Sequence, residues 1–260
     1  MSTGGGPIDS SVAHIARVYD YWLGGKDNFA VDRHVGDLMR EASPEVVEGV
    51  LGNRAFLART VRYLAGERGI RQFLDIGTGL PAADNTHEVA QAVAPGSRVV
   101  YVDNDPIVLS HARALLTGAG TAYLDADLRD TGRILKEAAA TLDFTRPIAV
   151  MLIAVLHCVP DEDEPAAIVA RLVEAVPPGS FLALSHPAID IHAGVREAAP
   201  KMNKLMDAQL TFRTYDQVAA LFEGLDMVEP GVVRVPEWRP GSEAERANPA
   251  AVWGGVARKR

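Results

Sequence analysis

The chain has 260 residues, of which 48% are hydrophobic and 23% charged, proportions of a soluble globular protein that exclude a disordered, collagen-like or coiled-coil chain. Its 26 Lys and Arg against 34 Asp and Glu leave a net charge of −8, so the protein as a whole lacks the basic footprint that draws nucleic acid or anionic lipid. A single cysteine, Cys158, rules out an intrachain disulfide and a multi-cysteine metal site, and no metal is expected. No charged-then-apolar leader opens the sequence, and the longest apolar run, 148–156, is less than half of the roughly 20 residues that span a bilayer. A cytoplasmic location follows as an expectation.

Residues 1–10, with Gly4-Gly5-Gly6-Pro7, have no apolar face to bury and are expected to form a disordered tail. From 11 to 70 the pattern is helical: Val47, Val50, Leu57, Val61 and Leu64 fall on one face, and Ser43-Pro44 has the form of an N-cap with proline at the first helical position. From 71 onward, short apolar runs over 73–76, 99–102, 122–124, 148–156 and 181–185 alternate with helical stretches over 85–94, 106–116, 128–142 and 165–176. This rhythm predicts a parallel sheet covered by helices on both faces, because parallel neighbours need crossovers of a dozen or so residues. Thr214-Tyr215-Asp216-Gln217 has the form of a capping box and opens a short helix through Phe222. Two strand-like runs, 227–235 and 251–257, then follow with no helical pattern between them, which predicts an antiparallel hairpin at the sheet edge. The organisation expected is a tail, a helical cap over 11–70 and a sheet-based core over 71–260.

Phe73-Leu74-Asp75-Ile76-Gly77-Thr78-Gly79 places two glycines one residue apart at the end of the first strand, where the backbone must turn tightly and a ligand can approach it. Gly77-x-Gly79-x-x-Ala82 even satisfies a dinucleotide fingerprint ending in alanine. Against that reading, a carboxylate at Asp75 would repel a pyrophosphate but suits a ligand bearing an amino group and a positive sulfur, and Pro81 removes a donor from the loop. Asp103 ends the second strand, placed to accept from both hydroxyls of a ribose; this does not separate NAD from other adenosine cofactors. Asp127 follows the third strand at the same edge and is placed to accept from an adenine amino group.

Taken together, Asp75-Ile76-Gly77-Thr78-Gly79, Asp103, Ala126-Asp127-Leu128 and the terminal hairpin resemble class I S-adenosylmethionine-dependent methyltransferases over 71–259. A narrower likeness, carried by 16–30 with its Tyr19-Asp20-Tyr21-Trp22-Leu23-Gly24-Gly25, by Asp32-Arg33, and by Ala154-Val155-Leu156-His157-Cys158-Val159-Pro160-Asp161, resembles a bacterial family of methyltransferase-like proteins long carried as a domain of unknown function. The fold this implies is α/β: a Rossmann-like, seven-stranded, mostly parallel sheet with an antiparallel C-terminal hairpin strand and a helical N-terminal cover. The resemblance also implies S-adenosyl-L-methionine as cofactor. Its methionine end lies against Asp75, Gly77, Thr78 and Gly79, its ribose against Asp103, and its adenine against Asn104, Asp127 and Leu128, with Ala154 among the contacts. The reaction expected is methyl transfer to a small-molecule acceptor. A binding protein without transferase activity is a second reading, and a nicotinamide-dependent oxidoreductase, resting only on the 77–82 spacing, a third.

The acceptor pocket is expected to draw on Tyr19, Tyr21, Trp22, Lys26, Asn28, His157 and His186, with His157 and Tyr21 as catalytic candidates. Each also has a plainer role. Tyr19 and Trp22, three apart on a helix, serve equally to pack that helix, and Asn28 beside Gly24-Gly25 to form the turn. Lys26, in the same turn, is a candidate for carboxylate contacts. His157 closes the fourth strand at the carboxyl edge of the sheet, where ligands bind in open α/β folds, or else caps the next turn near Asp161. His186, ending the fifth strand, is a weaker version of the same case. Asn85-x-x-Glu88 reads as a capping pair, Asp161 to Glu164 as the acidic first turn of a helix, and Cys158 as a small core residue.

Overall fold

A computed structural model describes residues 10–115, 120–192, 195–196, 200, 203–204, 206 and 209–260. The tail expected over 1–10 lies outside the described residues apart from Ser10. Three helices come first: α1 (Ile15–Trp22), α2 (Ala30–Ala42) and α3 (Val46–Gly66). Ser43 does not open α3 as its spacing predicts. It closes α2, its N–H donating to Met39 O at 2.8 Å, because a residue before proline is pushed out of the helical region. Glu45 then stands at the capping position of α3 without a side-chain hydrogen bond.

The remainder runs β1 (Gln72–Ile76), α4 (Thr86–Val93), β2 (Arg98–Asp103), α5 (Pro106–Leu115), β3 (Thr121–Asp125), α6 (Thr131–Ala138), β4 (Ala149–Ile153), α7 (Pro165–Ala175) and β5 (Phe181–Pro187). After β5 come α8 (Tyr215–Ala220), β6 (Asp226–Met227), β7 (Val233–Arg234), α9 (Glu243–Arg246) and β8 (Val252–Arg258). The strands form one sheet in the order β3-β2-β1-β4-β5-β8-β6, with β7 also paired to β8. β1 to β5 are parallel, and β8 runs antiparallel to β5, β6 and β7.

The expected mostly parallel α/β sheet is present, with two differences in detail. The run 227–235 is split into β6 and β7, since Pro230 has no N–H for a ladder and Gly231 turns at φ +90°; among the described residues the sheet therefore has eight strands rather than seven. The run 148–156 leaves the sheet at Ile153, where Ala154 takes φ +50° and a 3₁₀ turn over Leu156–Cys158 follows. His157 therefore sits in a turn beyond the strand.

The central strands are buried along their length, and their side chains alternate between the two faces of the sheet. Leu74, Ile76, Val100, Val102, Val150 and Leu152 face one helical layer, with α6, α7 and α8. Phe73, Val99, Tyr101, Ala149, Met151 and Ile153 face the other, where α3 supplies Phe56, Leu57, Val61 and Leu64. A third cluster joins Val18, Trp22, Val35, Met39 and Val50, so α1, α2 and the start of α3 pack on one another. Among the described residues no helix is long and apolar enough to cross a membrane.

Candidate functional site

From β1 the chain steps outward to β2 and β3, then returns to the other side of β1 with β4. The carboxyl ends of β1 and β4 thus diverge at a topological switch point, the place where open α/β sheets leave a crevice. A cavity of about 350 Å³ lies there, within the size range of small-ligand sites. Its floor is the ends of β1 to β4, with Asp75, Gly77, Thr78, Gly79, Asp103, Asn104, Asp127, Leu128 and Ala154 all on the wall. Its roof comes from α1 and from one face of α3, whose Val46, Gly49, Val50, Asn53, Arg54 and Leu57 recur at helical spacing.

Gly77 and Gly79 both take positive φ, +74° and +67°. They differ in surroundings: a Cβ on Gly77 would stand 2.0 Å from Val155 Cγ2, whereas one on Gly79 would meet nothing within 4 Å. Gly77 is therefore needed for packing, and Gly79 keeps open a space on the cavity wall. Four of the loop's amides are committed to the protein. Gly77 and Thr78 donate to Val102 O at 2.8 and 3.3 Å, Gly79 to Asp103 Oδ2 at 2.8 Å, and Ala82 to Asn85 Oδ1 at 3.1 Å.

The three carboxylates singled out by position are in different states. Asp75 is buried and accepts from Thr86 Oγ1 at 2.6 Å; burial pushes it up to about 6, although the Thr86 bond and the Arg54 charge pull the other way. Asp103 accepts from the N–H groups of Gly79 and Asp105, and its burial still raises it. Asp127 is half exposed and gripped by Arg129, with Nη2 to Oδ2 at 2.6 Å and Nε to Oδ1 at 2.8 Å. Those bonds hold it below the usual carboxylate range.

Of the aromatic cluster on α1, Tyr19 and Trp22 reach the cavity wall and Tyr21 does not. The Tyr21 hydroxyl donates to Asp37 on α2 at 2.9 Å, because residues 19 and 22 share a helix face that residue 21 leaves. Lys26 is exposed and outside the lining. Asn28 is outside it too: its Nδ2 donates to Asp20 Oδ2 and Gly25 O at 2.8 and 3.1 Å, so it builds the turn. Sequence reasoning passed over His14, Asp20, Asn53 and Arg54, all of which line the cavity. His14 Nδ1 lies 2.8 Å from Asp105 Oδ2, tying the start of α1 to the loop after β2. A signal for Asp20 was present in Gly25, where an added Cβ would fall 2.0 Å from Asp20 Oδ1. Nothing in the local pattern of α3 distinguishes Asn53 or Arg54.

The two histidines separate in the same way. His157 lines the cavity; its ring makes no hydrogen bond with a described residue, and its Nδ1 is enclosed. Burial, and then the charge of Arg213, push it down to about 4, so the imidazole is neutral near pH 7. His186 is fully buried and outside the lining. Its Nε2 lies 2.8 Å from Arg213 Nη1 and its Nδ1 2.9 Å from Pro187 O. Since arginine only donates, Nε2 accepts and Nδ1 donates to the carbonyl, which leaves His186 no free atom for a substrate. Arg213 also holds Leu156 O, Val159 O and Asp161 Oδ1, so this pair braces the turn that carries His157. Cys158 lines the cavity as a thiol that burial pushes up to about 12, far from a nucleophilic thiolate. Among the described residues no group of three or more His, Cys, Asp or Glu is placed to hold a metal ion.

The residues present fit S-adenosylmethionine. A bare glycine surface at Gly79, a buried acid at the end of β1 and a carboxylate ending β2 stand around one crevice, and the chemistry of that set matches an amino acid joined to a ribose. Comparison with known proteins supports the same reading. A protein of the family designated DUF574 from Streptomyces avermitilis is 44% identical, with a TM-score of 0.93 over 97% of this chain and 99% of that one. A candidate methyltransferase of Thermobifida fusca is 39% identical, with a TM-score of 0.90 over the full length of both. Human N-acetylserotonin methyltransferase, solved in complex with S-adenosylmethionine, shares the fold at 14% identity, with a TM-score of 0.51 over 93% of this chain and 62% of that one. A comparison with curated protein sequences finds no match. None of this favours the nicotinamide reading or binding without transfer. Residues 2–260 match the S-adenosyl methyltransferase family, and the chain belongs to that family as an S-adenosylmethionine-dependent methyltransferase.

Proposed function

We propose that this methyltransferase methylates a hydroxyl group of a compact, largely apolar small molecule, with His157 taking the proton. The observation that carries the reading is an imidazole on the cavity wall whose ring has no hydrogen-bond partner among the described residues. When bound, S-adenosylmethionine supplies a methyl group on a positively charged sulfur. Around it the protein's task is to hold the acceptor in line and keep water away. Trp22, Met39, Val46, Val50, Leu210 and Phe212 give the cavity an apolar lining suited to both. A hydroxyl must lose its proton as the new bond forms, and a neutral imidazole can accept it.

The cofactor contacts in this proposal are Asp75, Gly77, Thr78, Gly79, Asp103, Asn104, Asp127, Leu128 and Ala154. Tyr19 and Trp22 belong to the acceptor wall; Tyr21, Lys26, Asn28 and His186 do not. Residues 11–70 act as a cap on a core of 71–260, in a bacterial, cytoplasmic enzyme with no nucleic-acid or membrane partner. The net charge of −8 supports that last point.

The test is methyl transfer from S-adenosylmethionine to a panel of phenols, hydroxylated heterocycles and matched amines, with products identified by mass spectrometry. Methylated hydroxyls are expected, with turnover falling about a hundredfold or more in His157→Ala. Methylation of amines alone refutes the hydroxyl reading, and full turnover in the variant refutes the role of His157.

A further inference from the structure

A ligand with an amino-acid end carries a carboxylate as well as an amine, and a buried carboxylate needs donors. The glycine loop has one amide left to offer. The N–H groups of Gly77, Thr78, Gly79 and Ala82 are all engaged within the protein, and Pro81 has none. Only the N–H of Leu80 is left along 77–82, and Leu80 turns its side chain into a cluster with Ile107 and Val108.

A charged partner must therefore come from a side chain, and the cationic ones on the wall are few. Arg129 is held by Asp127 and Asp163, at 2.6 and 3.0 Å. His14 faces Asp105. His157 is neutral. Arg54, on the roof helix α3, is different. Its Nη2 donates to Ala83 O at 2.7 Å and Asp84 O at 3.1 Å, which spends both hydrogens of that nitrogen and fixes the guanidinium in place. Its Nε is enclosed without a partner, and its Nη1 makes no hydrogen bond with a described residue. Its charge is felt by Asp75 and by Tyr19 on the same cavity wall.

We propose that Arg54 is the cation that binds the carboxylate of S-adenosylmethionine, taking the place that the sequence assigns to the loop amides and to Lys26. Held at one corner by two loop carbonyls, the side chain keeps N–H groups over for a ligand and loses little freedom on binding. The same two bonds tie α3 to the loop beyond Gly79, so the site for the amino-acid end is built from both layers.

This inference rests on the family's use of S-adenosylmethionine, and the test separates the two. Calorimetry measures dissociation constants for S-adenosylmethionine and for decarboxylated S-adenosylmethionine, which lacks only the carboxylate, with the wild type, Arg54→Lys and Arg54→Met. Loss of the loop anchor weakens both ligands together and leaves their ratio intact. Loss of a carboxylate contact removes the advantage of the first over the second. The expected result is a fall of that ratio by about tenfold or more in Arg54→Met, with Arg54→Lys between it and the wild type. A ratio unchanged in Arg54→Met overturns the proposal, as does a wild type whose ratio equals that of the variant. If the wild type binds neither ligand, the cofactor reading itself fails and the assignment of Arg54 falls with it.

Discussion

Ser185 Oγ donates to Asn53 Oδ1 across 2.5 Å, joining β5 to α3 over 132 residues of sequence. The rest of the chain of bonds follows from it. Asn53 donates through Nδ2 to the Tyr19 hydroxyl at 3.1 Å, Tyr19 donates to Val50 O at 3.3 Å, and Ser185 Oγ receives the N–H of Ala154 at 3.0 Å. Since Ser185 accepts from Ala154, its own hydrogen must go to Asn53, and every group in the relay has one defined role. The relay reaches from the roof of the cavity to Ala154, which it helps to hold at φ +50°, a conformation that a non-glycine residue keeps only when its surroundings enforce it. Ser185→Ala leaves Asn53 Oδ1 buried with no donor, and the expected loss is about 1–3 kcal/mol. Chemical denaturation measures it; an unchanged midpoint and slope contradict the relay.

Asp103 has two duties, and its replacement should show both. Its oxygens accept from Gly79 and Asp105 in the protein, and its position at the end of β2 suits the ribose hydroxyls of the cofactor. Asp103→Ala is expected to weaken S-adenosylmethionine by about 1.5–3 kcal/mol, roughly tenfold or more in dissociation constant, and also to lower the melting temperature. Calorimetry on folded variant that finds the wild-type constant places the ribose elsewhere.

The two glycines should part company when each is changed to alanine. At Gly77 the new methyl collides with Val155 at a positive φ, and the expected destabilisation is about 2–4 kcal/mol. At Gly79 nothing stands in the way, so only the conformational cost of about 1 kcal/mol remains, but the methyl projects into the space proposed for the cofactor. Gly79→Ala should therefore fold and fail to bind, while Gly77→Ala should lose stability first. Thermal melts and calorimetry on both variants check this; equal binding by wild type and Gly79→Ala would place the cofactor away from that wall.

How far the sequence can be read depends on how local each signal is. Asp75 to Gly79 is a strand followed by a turn that demands glycine, and both glycines do take positive φ. The alternation of apolar runs and helices is equally local, which is why the parallel sheet was legible. Tyr21 was decidable in principle, since helix geometry turns it away from the face of Tyr19 and Trp22. Arg54 and His186 were not. Arg54 looks like any polar residue beside the apolar stripe of α3, and its meaning comes from carbonyls about thirty positions further on. His186 ends a strand just where a ligand should lie, but its ring is turned inward by Arg213, 27 residues away.

Acid should expose the cost of keeping His157 neutral. Its proton affinity in the folded protein, about 4, lies below the ordinary histidine value of 6.5 because of burial and Arg213, and His186 is pushed lower still, to about 3. As pH falls through 6.5 the unfolded chain takes up protons at both positions before the folded chain does, so each contributes stability that is present above 6.5 and lost toward the folded value. Asp75 works in the opposite sense, since burial raises it to about 6 and its contribution is lost as pH rises through that value. The comparison that isolates His157 is therefore between variants: His157→Gln should flatten the decline of melting temperature between pH 6.5 and about 4, leaving the contribution of Asp75 in place and relieving the part of the His186 shift that His157 causes. Its neutrality also means that methyl transfer should show no loss of a protonated imidazole's kind between pH 5 and 7. A wild-type rate that falls tenfold per pH unit below 6.5, or a His157→Gln melting profile parallel to the wild type, would show that the imidazole titrates as it does in water.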